Sequence, residues 1–252
     1  MRIIALSDIH GQLPVISESA EVMFICGDII PLKMQNNYPQ SLKWLRKEFI
    51  PHFNNMSVEQ IYLIAGNHDF FFESARPQII SALFSGTKII YLRNENVDYL
   101  DNDGNTWNIF GSPDCHIFGN WAFMYHPNIE LEDFNKMHDD CDIMITHDAA
   151  YGQNDICKQD IWYNKHEHIG NPEMAEVLKK KHPKFHFTGH LHTSDHSVVD
   201  YNGTKTACVS LLDERYHMTY KPLILDIEKS GDYKLVNNEN KMGTDASYKP
   251  LI

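Results

Sequence analysis

The stretch IYLIAGNHD, residues 61–69, places an apolar run directly before three polar residues. Residues 61–65 have the β-branched, continuously apolar character of a buried strand. Gly66 allows the backbone to turn sharply after that strand, and the Asn-His-Asp that follows is costly to bury. The stretch therefore predicts a core strand that delivers polar side chains to one end of a sheet.

The same arrangement recurs after four other predicted strands. These strands and the residues that follow them are 2–6 before Asp8-Ile9-His10, 22–26 before Gly27-Asp28, 141–146 before His147, and 184–188 before Gly189-His190-Leu191-His192. Each segment alone is compatible with an ordinary turn. Because ligands of open α/β sheets bind beyond the carboxyl ends of the strands, we expect all five segments to meet at one functional site.

The residue types at these strand ends are typical of a metal site. Imidazole nitrogens and carboxylate or amide oxygens suit divalent transition metals. If residues 8–10 and 190–192 are extended, alternate side chains share one side, and each segment offers two ligands. The set is large enough for two ions, which about 3.5–4 Å apart form a clamp for in-line displacement at phosphorus.

Composition narrows the classes of function. The chain has 252 residues, a net charge of −12 and five scattered cysteines without a CxxC pair. We expect one domain over residues 1–230 and a polar tail over 231–252. The acidic balance argues against a nucleic-acid partner, the cysteine pattern indicates a reduced, cytoplasmic protein, and no apolar run has the length of a membrane helix.

The order of the other predicted elements indicates the fold class. They are helices at 39–49, 77–85 and 171–182, short strands with a hairpin between 88 and 111, a hairpin around residues 202–203, and a last strand at 222–228. Strands that alternate with helices in both halves of the chain suggest two sheets packed face to face, with helices outside.

The five polar blocks resemble the pattern of the calcineurin-like metallophosphoesterases, which is D-x-H, G-D, G-N-H-[DE], H and G-H-x-H. All five blocks are present in this order over residues 8–192. The resemblance implies a four-layer α-β-β-α sandwich of two packed mixed sheets, with two metal ions. The ligands it implies are Asp8, His10, Asp28 and His192 for one ion, and Asn67, His147 and His190 for the other, with Asp28 bridging.

The resemblance also implies catalytic roles next to these ligands. His68 would act as the general acid or as a hydrogen-bond donor to the transition state, and Asp69 would orient its ring. Protein phosphatases of this family usually have G-D-x-x-D-R-G, whereas residues 27–33 are GDIIPLK, so the phosphate-gripping arginine is missing. The stretches 111–113, 120–123 and 168–172 are similar to the metallophosphodiesterases related to vertebrate brain metallophosphoesterase-domain proteins.

The function expected from these features is hydrolysis of a small, nucleotide-like phosphodiester by metal-activated water. Mn, Fe, Zn and Co all suit the ligand set. A phosphomonoesterase, a nuclease and a metal-bound interaction module remain alternatives, and the oligomeric state is open. His116 and Tyr151 are the candidate substrate contacts. The other aromatic residues that form a rim or merely pack are Phe118, Trp121, Trp162 and Tyr163.

Overall fold

The computed structural model describes residues 1–156 and 167–236. Strands in these residues form two mixed sheets of six strands each. In chain order the strands are β1 (Arg2–Leu6), β2 (Ala20–Cys26), β3 (Val58–Ile64), β4 (Ile89–Tyr91), β5 (Glu95–Leu100), β6 (Thr106–Ser112), β7 (Ile143–Thr146), β8 (Phe185–Thr188), β9 (Val199–Tyr201), β10 (Thr204–Cys208), β11 (Leu223–Ile227) and β12 (Tyr233–Leu235).

Short helices connect these strands. They are α1 (Tyr38–Trp44), α2 (Ile50–Asn54), α3 (Phe70–Ser74), α4 (Pro77–Phe84), α5 (Pro127–Asn135) and α6 (Pro172–Lys181), with a 3₁₀ turn at Leu32–Met34 and a π-helical turn at Leu45–Phe49. No helix within the described ranges has both the length and the apolar character that crossing a membrane requires.

Each sheet has a run of four parallel strands; the first sheet adds antiparallel strands at one edge and the second at both. The first sheet has the order β12-β11-β1-β2-β3-β4, and β1 to β4 run parallel. The second has the order β5-β6-β7-β8-β10-β9, and β6, β7, β8 and β10 run parallel. Parallel neighbours end at the same edge of a sheet, so the polar segments that follow β1, β2 and β3 emerge together, as do those that follow β7 and β8.

Three apolar clusters define four layers. One fills the space between the sheets and includes Phe24 and Phe187. A second joins the outer face of the first sheet to α1–α4, and a third joins the outer face of the second sheet to α5 and α6. The predicted α-β-β-α sandwich of two packed mixed sheets is therefore confirmed.

The predicted helix at 39–49 continues further than expected. It begins as α1, passes through the π-helical turn and ends with α2 at Asn54. Pro51 has no N–H to donate to the carbonyl of Lys47, so the regular α-helical hydrogen bond is unavailable at this point. The wider turn carries the chain past the proline, and Phe49 and Phe53 remain buried.

The expected start of the polar tail at residue 231 is wrong. Residues 233–235 form β12, which pairs antiparallel with β11 at the edge of the first sheet. The sequence Tyr-Lys-Leu did not predict this strand because it contains no apolar run. In the folded chain two of its three residues are exposed. The rest of the tail, residues 237–252, lies outside the described residues, and the assignment of residues 1–230 to one domain stays a prediction.

Phe24 offers a test of the packing between the sheets. Its side chain is fully buried, and its ring lies 5.8 Å from Phe187 and 6.1 Å from Tyr62. We expect Phe24→Ala to lower the free energy of unfolding by about 3–5 kcal/mol in urea titrations, because it leaves a cavity. Val15→Ala is the control, since Val15 is 96% exposed. Equal effects of the two substitutions would contradict this packing.

Candidate metal centre

The seven predicted ligands converge where the two sheets meet, and contacts join them into one cluster. The atom pairs that link them are His10 Nε2–Asp28 Oδ2 at 3.6 Å, His147 Nε2–Asp28 Oδ2 at 3.4 Å, His147 Nε2–Asn67 Oδ1 at 2.9 Å, His192 Nε2–Asp8 Oδ1 at 3.3 Å and His190 N–Asp8 Oδ2 at 2.9 Å. The rings of His147 and His190 lie 5.2 Å apart. Side chains from residues 8 to 192 thus share one site.

Two groups within this cluster have the spacing of a metal site. Asp8 forms one group with His10 and His192 and another with Asp28 and His147, and in each group the ligand atoms lie within 4.8 Å of one another. Asp8 belongs to both groups, whereas the family resemblance implies Asp28 as the shared carboxylate. Asp28 lies between His10 and His147, so both carboxylates occupy central positions.

Left-handed backbone brings several ligands into the site. Asp8, His10, Asp28 and His190 have φ values of 54°, 40°, 53° and 66°. Residues with a side chain rarely adopt this conformation, and its cost is typically found at functional sites. The expectation that residues 8–10 and 190–192 are extended is therefore wrong, because tight turns and not strand alternation bring the paired ligands together.

Two glycines make room for the ligands. A Cβ atom at Gly66 would lie 2.6 Å from Cε1 of His147, and one at Gly189 would lie 2.6 Å from Oδ2 of Asp8. Both distances are far below van der Waals contact. Any side chain at either position would displace a ligand, which explains why glycine stands directly after these strands.

Hydrogen bonds orient the imidazoles so that one nitrogen of each faces the cluster. Nδ1 of His147 lies 2.8 Å from the carbonyl oxygen of Cys26, and Nδ1 of His192 lies 2.9 Å from the carbonyl oxygen of Asp213. Carbonyls only accept, so both Nδ1 atoms donate and each Nε2 is directed at ligand oxygens. With Nε2 of His147 unprotonated, its lone pair faces Asn67 Oδ1 at 2.9 Å, an arrangement of two donor atoms that suits a cation between them.

The other ligands also fit a bound cation. Nδ1 of His10 is buried and has no hydrogen-bond partner among the described residues. The contacts of 3.3–3.6 Å between imidazole and carboxylate are longer than the roughly 2.7–3.2 Å of most hydrogen bonds from nitrogen to oxygen. They match two ligands of one ion, because ligand bonds of about 2.0–2.2 Å separate two donor atoms by roughly 3.4 Å at a tetrahedral angle.

The pKa shifts show which imidazoles are neutral and which one the carboxylates stabilise as a cation. Burial lowers the pKa of His10 to about 4, and burial together with the nearby His147 does the same for His190, so both imidazoles are neutral at pH 7. Against the opposing effect of burial, the Asp28 carboxylate raises the pKa of His147 to about 10. The two carboxylates thus favour a cationic partner in their midst.

His68 lies beside the cluster but is oriented by a different residue than expected. Its Nε2 is 4.0 Å from Oδ2 of Asp28, and its Nδ1 is 2.6 Å from Oε1 of Gln35. Asp69 instead accepts hydrogen bonds from the backbone N–H groups of Ile29, Ile30 and Gly66. The prediction that Asp69 orients His68 is therefore wrong.

Burial and the charge of Asp28 raise the pKa of Asp69 to about 7. Because its carboxylate binds the backbone that follows β2 and β3, Asp69 holds in place the two segments that carry Asp28 and Asn67. Gln35 had no signal in the sequence, since a lone glutamine in a loop matches no motif.

The two predicted substrate contacts occupy different places. Nδ1 of His116 lies 2.6 Å from Oδ2 of Asp148, and Phe118 packs between His116 and His190, with ring centres 5.6 and 5.2 Å away. The ring of Phe118 therefore separates His116 from the ligand His190. Tyr151 is half exposed and contacts His168, 5.4 Å between ring centres, so nothing in the described residues links it to the cluster.

Other aromatic residues border the centre more closely. The Trp121 ring lies 4.5 Å from that of His68, and the Tyr216 ring lies 5.0 Å from that of His10 and 5.5 Å from that of His192. Tyr216 was missed because it follows the last motif by more than twenty residues. Trp162 and Tyr163 fall outside the described residues.

Residues 1–194 match the sequence profile of the calcineurin-like phosphoesterases. This range includes every one of the seven clustered ligands. The chain belongs to the calcineurin-like phosphoesterase family. Membership agrees with the fold of two packed sheets and with the position of the ligand cluster at the ends of their strands.

Two curated relatives of this chain are distant in sequence. It is 23% identical over 197 aligned positions to a probable rhamnogalacturonate lyase C of Emericella nidulans, a match covering 76% of this chain and 17% of that protein. It is 23% identical over 257 aligned positions to a UPF0046 protein of Caenorhabditis elegans, which covers 90% of this chain and 60% of that protein. The chain thus spans less than two thirds of either relative.

Among solved structures, the chain superposes on the phosphopantetheinyl hydrolase of Mycobacterium tuberculosis with a TM-score of 0.52 and 13% identity, covering 98% of both chains. At this level of identity the likeness shows the fold alone. The chemistry of the site has to be argued from the residues of this chain.

Asp8 provides a test of metal binding because both ligand groups contain it. We expect added Mn²⁺ to raise the melting temperature of the wild-type protein, as binding to the folded state stabilises by about 2.7 kcal/mol at a hundredfold excess over Kd. Asp8→Asn should lose most of this increase, because it removes the shared charge.

Asp139→Asn is the matched control, since the side chain of Asp139 is 94% exposed. It should retain the full increase. Metal content measured after gel filtration gives a second readout. An undiminished response of Asp8→Asn to Mn²⁺ in both measurements would contradict the assignment of the centre.

Proposed function

We propose that this phosphoesterase hydrolyses phosphodiester bonds of a small, nucleotide-like substrate with two divalent transition-metal ions. The observation that carries the proposal is the sharing of Asp8 by two ligand groups. Two ligand groups that meet at one carboxylate would let two ions bind close enough together to clamp a phosphate.

For the division of the ligands between the ions we follow the family resemblance. Asp8, His10, Asp28 and His192 would hold one ion and Asn67, His147 and His190 the other, with Asp28 as the bridging carboxylate; Asp8, which belongs to both ligand groups, would lie next to it. When bound, such ions polarise phosphoryl oxygens and generate a nucleophile from water at neutral pH. The mixed nitrogen and oxygen ligands suit Mn, Fe, Zn or Co equally.

His68 is placed to assist the leaving group. Oε1 of Gln35 can only accept, so Nδ1 of His68 carries a proton and donates it to Gln35. Nε2 is thereby left facing the centre, 4.0 Å from Asp28. From this position a protonated Nε2 would donate to the oxygen that leaves phosphorus.

The surroundings of the centre favour a small diester over the alternatives. Residues 27–33 provide no arginine to grip the additional charge of a phosphomonoester dianion. The net charge of −12 disfavours a nuclease, whose affinity depends on neutralising many phosphates. A metal-bound interaction module would not need His68 oriented toward the ligands.

The free cysteines bear on the cellular compartment of the protein. Cys26, Cys115, Cys141 and Cys208 are free and buried, as expected in a reducing compartment. We therefore assign the protein to the cytoplasm, with a small phosphoester as its partner and neither nucleic acid nor membrane.

A panel of three substrates separates the candidate activities. With added Mn²⁺, we expect bis-p-nitrophenyl phosphate to be hydrolysed faster than p-nitrophenyl phosphate, and single-stranded DNA to stay intact on gels. Asp8→Asn should abolish hydrolysis, which rules out a contaminating enzyme. A preference for the monoester or degradation of DNA would favour the corresponding alternative, and inactivity toward all three would favour the interaction module.

The role of His68 is tested through the leaving group. We expect His68→Ala to lower kcat by about 10²–10⁴-fold for a diester with an alkoxide leaving group, which needs protonation, and far less for bis-p-nitrophenyl phosphate. Gln35→Ala should change both rates in the same direction by a smaller factor, because it only orients the ring. Equal losses for both leaving groups would indicate electrostatic stabilisation and not proton donation.

A further inference from the structure

Three aromatic side chains surround the metal centre, and each packs against a histidine within it. Phe118 packs on His190, Trp121 packs on His68, and Tyr216 packs on His10 and His192. We refer to Phe118, Trp121 and Tyr216 as the aromatic collar. Their side chains are 37%, 36% and 38% exposed, in contrast to the aromatic residues of the core, so each presents part of a ring to solvent beside the ligands.

Trp121 is held in place by the backbone of a ligand. The N–H of its neighbour Ala122 donates to the carbonyl of Asn67 at 3.1 Å. Gly119 lies against the indole, and a Cβ there would come within 3.0 Å of Nε1 of Trp121. The indole is therefore fixed beside His68, where the leaving group of the proposed reaction lies.

Backbone hydrogen bonds also fix Tyr216 beside His10. The carbonyl of Asp213 accepts both the N–H of Tyr216 at 2.8 Å and Nδ1 of His192 at 2.9 Å. Gln12 donates to the carbonyl of Tyr216 at 2.8 Å. One backbone oxygen thus positions a ligand and a collar residue together.

The backbone of Tyr216 is strained. Its φ of 60° is rare for a bulky residue and costs of the order of 1–3 kcal/mol, which persists only where the surroundings enforce it. Core packing does not require this conformation, because the ring is more than one third exposed. In this conformation the ring contacts the ligands His10 and His192.

We infer that the aromatic collar binds the organic part of the substrate and selects phosphoesters that carry a planar aromatic group, such as a nucleobase or an aryl ring. The inference rests on the proposed function for the position of the phosphate. An exposed aromatic ring beside the ligands suits a flat substituent, and every base presents a π face on which such a ring can stack. An alkyl substituent of the same charge would gain little from the collar.

Binding to the Mn²⁺-loaded protein tests the collar without turnover. Adenosine 5′-monophosphate and ribose 5-phosphate share the phosphate and the ribose and differ only in the base. By isothermal titration calorimetry we expect the nucleotide to bind about tenfold more tightly to the wild-type protein, the lower end of what base stacking contributes.

Substitutions then locate the preference. Trp121→Leu keeps an apolar side chain without a π face and should weaken nucleotide binding severalfold while leaving ribose 5-phosphate within about twofold. Tyr216→Ala should act in the same way, and Tyr216→Phe should retain the wild-type preference because it keeps the ring. Tyr233→Ala is the matched control, since Tyr233 is equally exposed, 38%, but lies on β12 at the far edge of the first sheet.

Equal affinity of the wild-type protein for the nucleotide and for ribose 5-phosphate would contradict the role of the collar. So would variants that still bind Mn²⁺ but lose affinity for both compounds to the same extent. Failure of the proposed function is a separate result, because it would be seen as absence of diester hydrolysis with the base preference intact.

Discussion

Two carboxylates, those of Asp8 and Asp28, are buried at the ends of neighbouring strands. The residues around them compensate the free-energy cost of burying these charges. An unpaired buried charge is strongly unfavourable. Here four imidazoles and an amide surround the pair, and backbone N–H groups of His190 and His68 donate to Asp8 and Asp28. The short turns, the glycines and the left-handed residues all serve to bring these partners within reach.

The sequence predicted the parts of the fold that depend on short, regular signals. Apolar runs marked the central strands, and polar residues directly after them marked the ligands, because strand ends in a parallel sheet converge whatever the loops do. The course of the loops could not be predicted in the same way. Residues 8–10 and 190–192 were predicted to be extended, but the structure has left-handed residues at Asp8 and His190. Turn geometry brings the paired ligands together here, and the two-residue alternation of a strand does not reveal it.

Positioning residues were the least predictable. Gln35 orients His68. Asp69, which follows His68 in the sequence, instead accepts hydrogen bonds from three backbone N–H groups and stabilises the segments that carry Asp28 and Asn67. Adjacency along the chain suggested the wrong partner, because the side chains of residues 68 and 69 leave the backbone in different directions. Tyr216 and Asp213 reach the centre from beyond the family match at residues 1–194, so only the folded chain places them there.

The pairing of β1 with β11 has a consequence for biosynthesis. Arg2 lies opposite Asp226 in this ladder, so β1 acquires one of its neighbours only after the more than two hundred residues between them have been synthesised. Until then β1, fully apolar from Ile3 to Leu6, presents an unpaired edge, which is a template for association with other chains. Pairings so distant in sequence also form slowly. The edge of β1 that β11 covers therefore stays open to association with other chains for most of the synthesis of this domain.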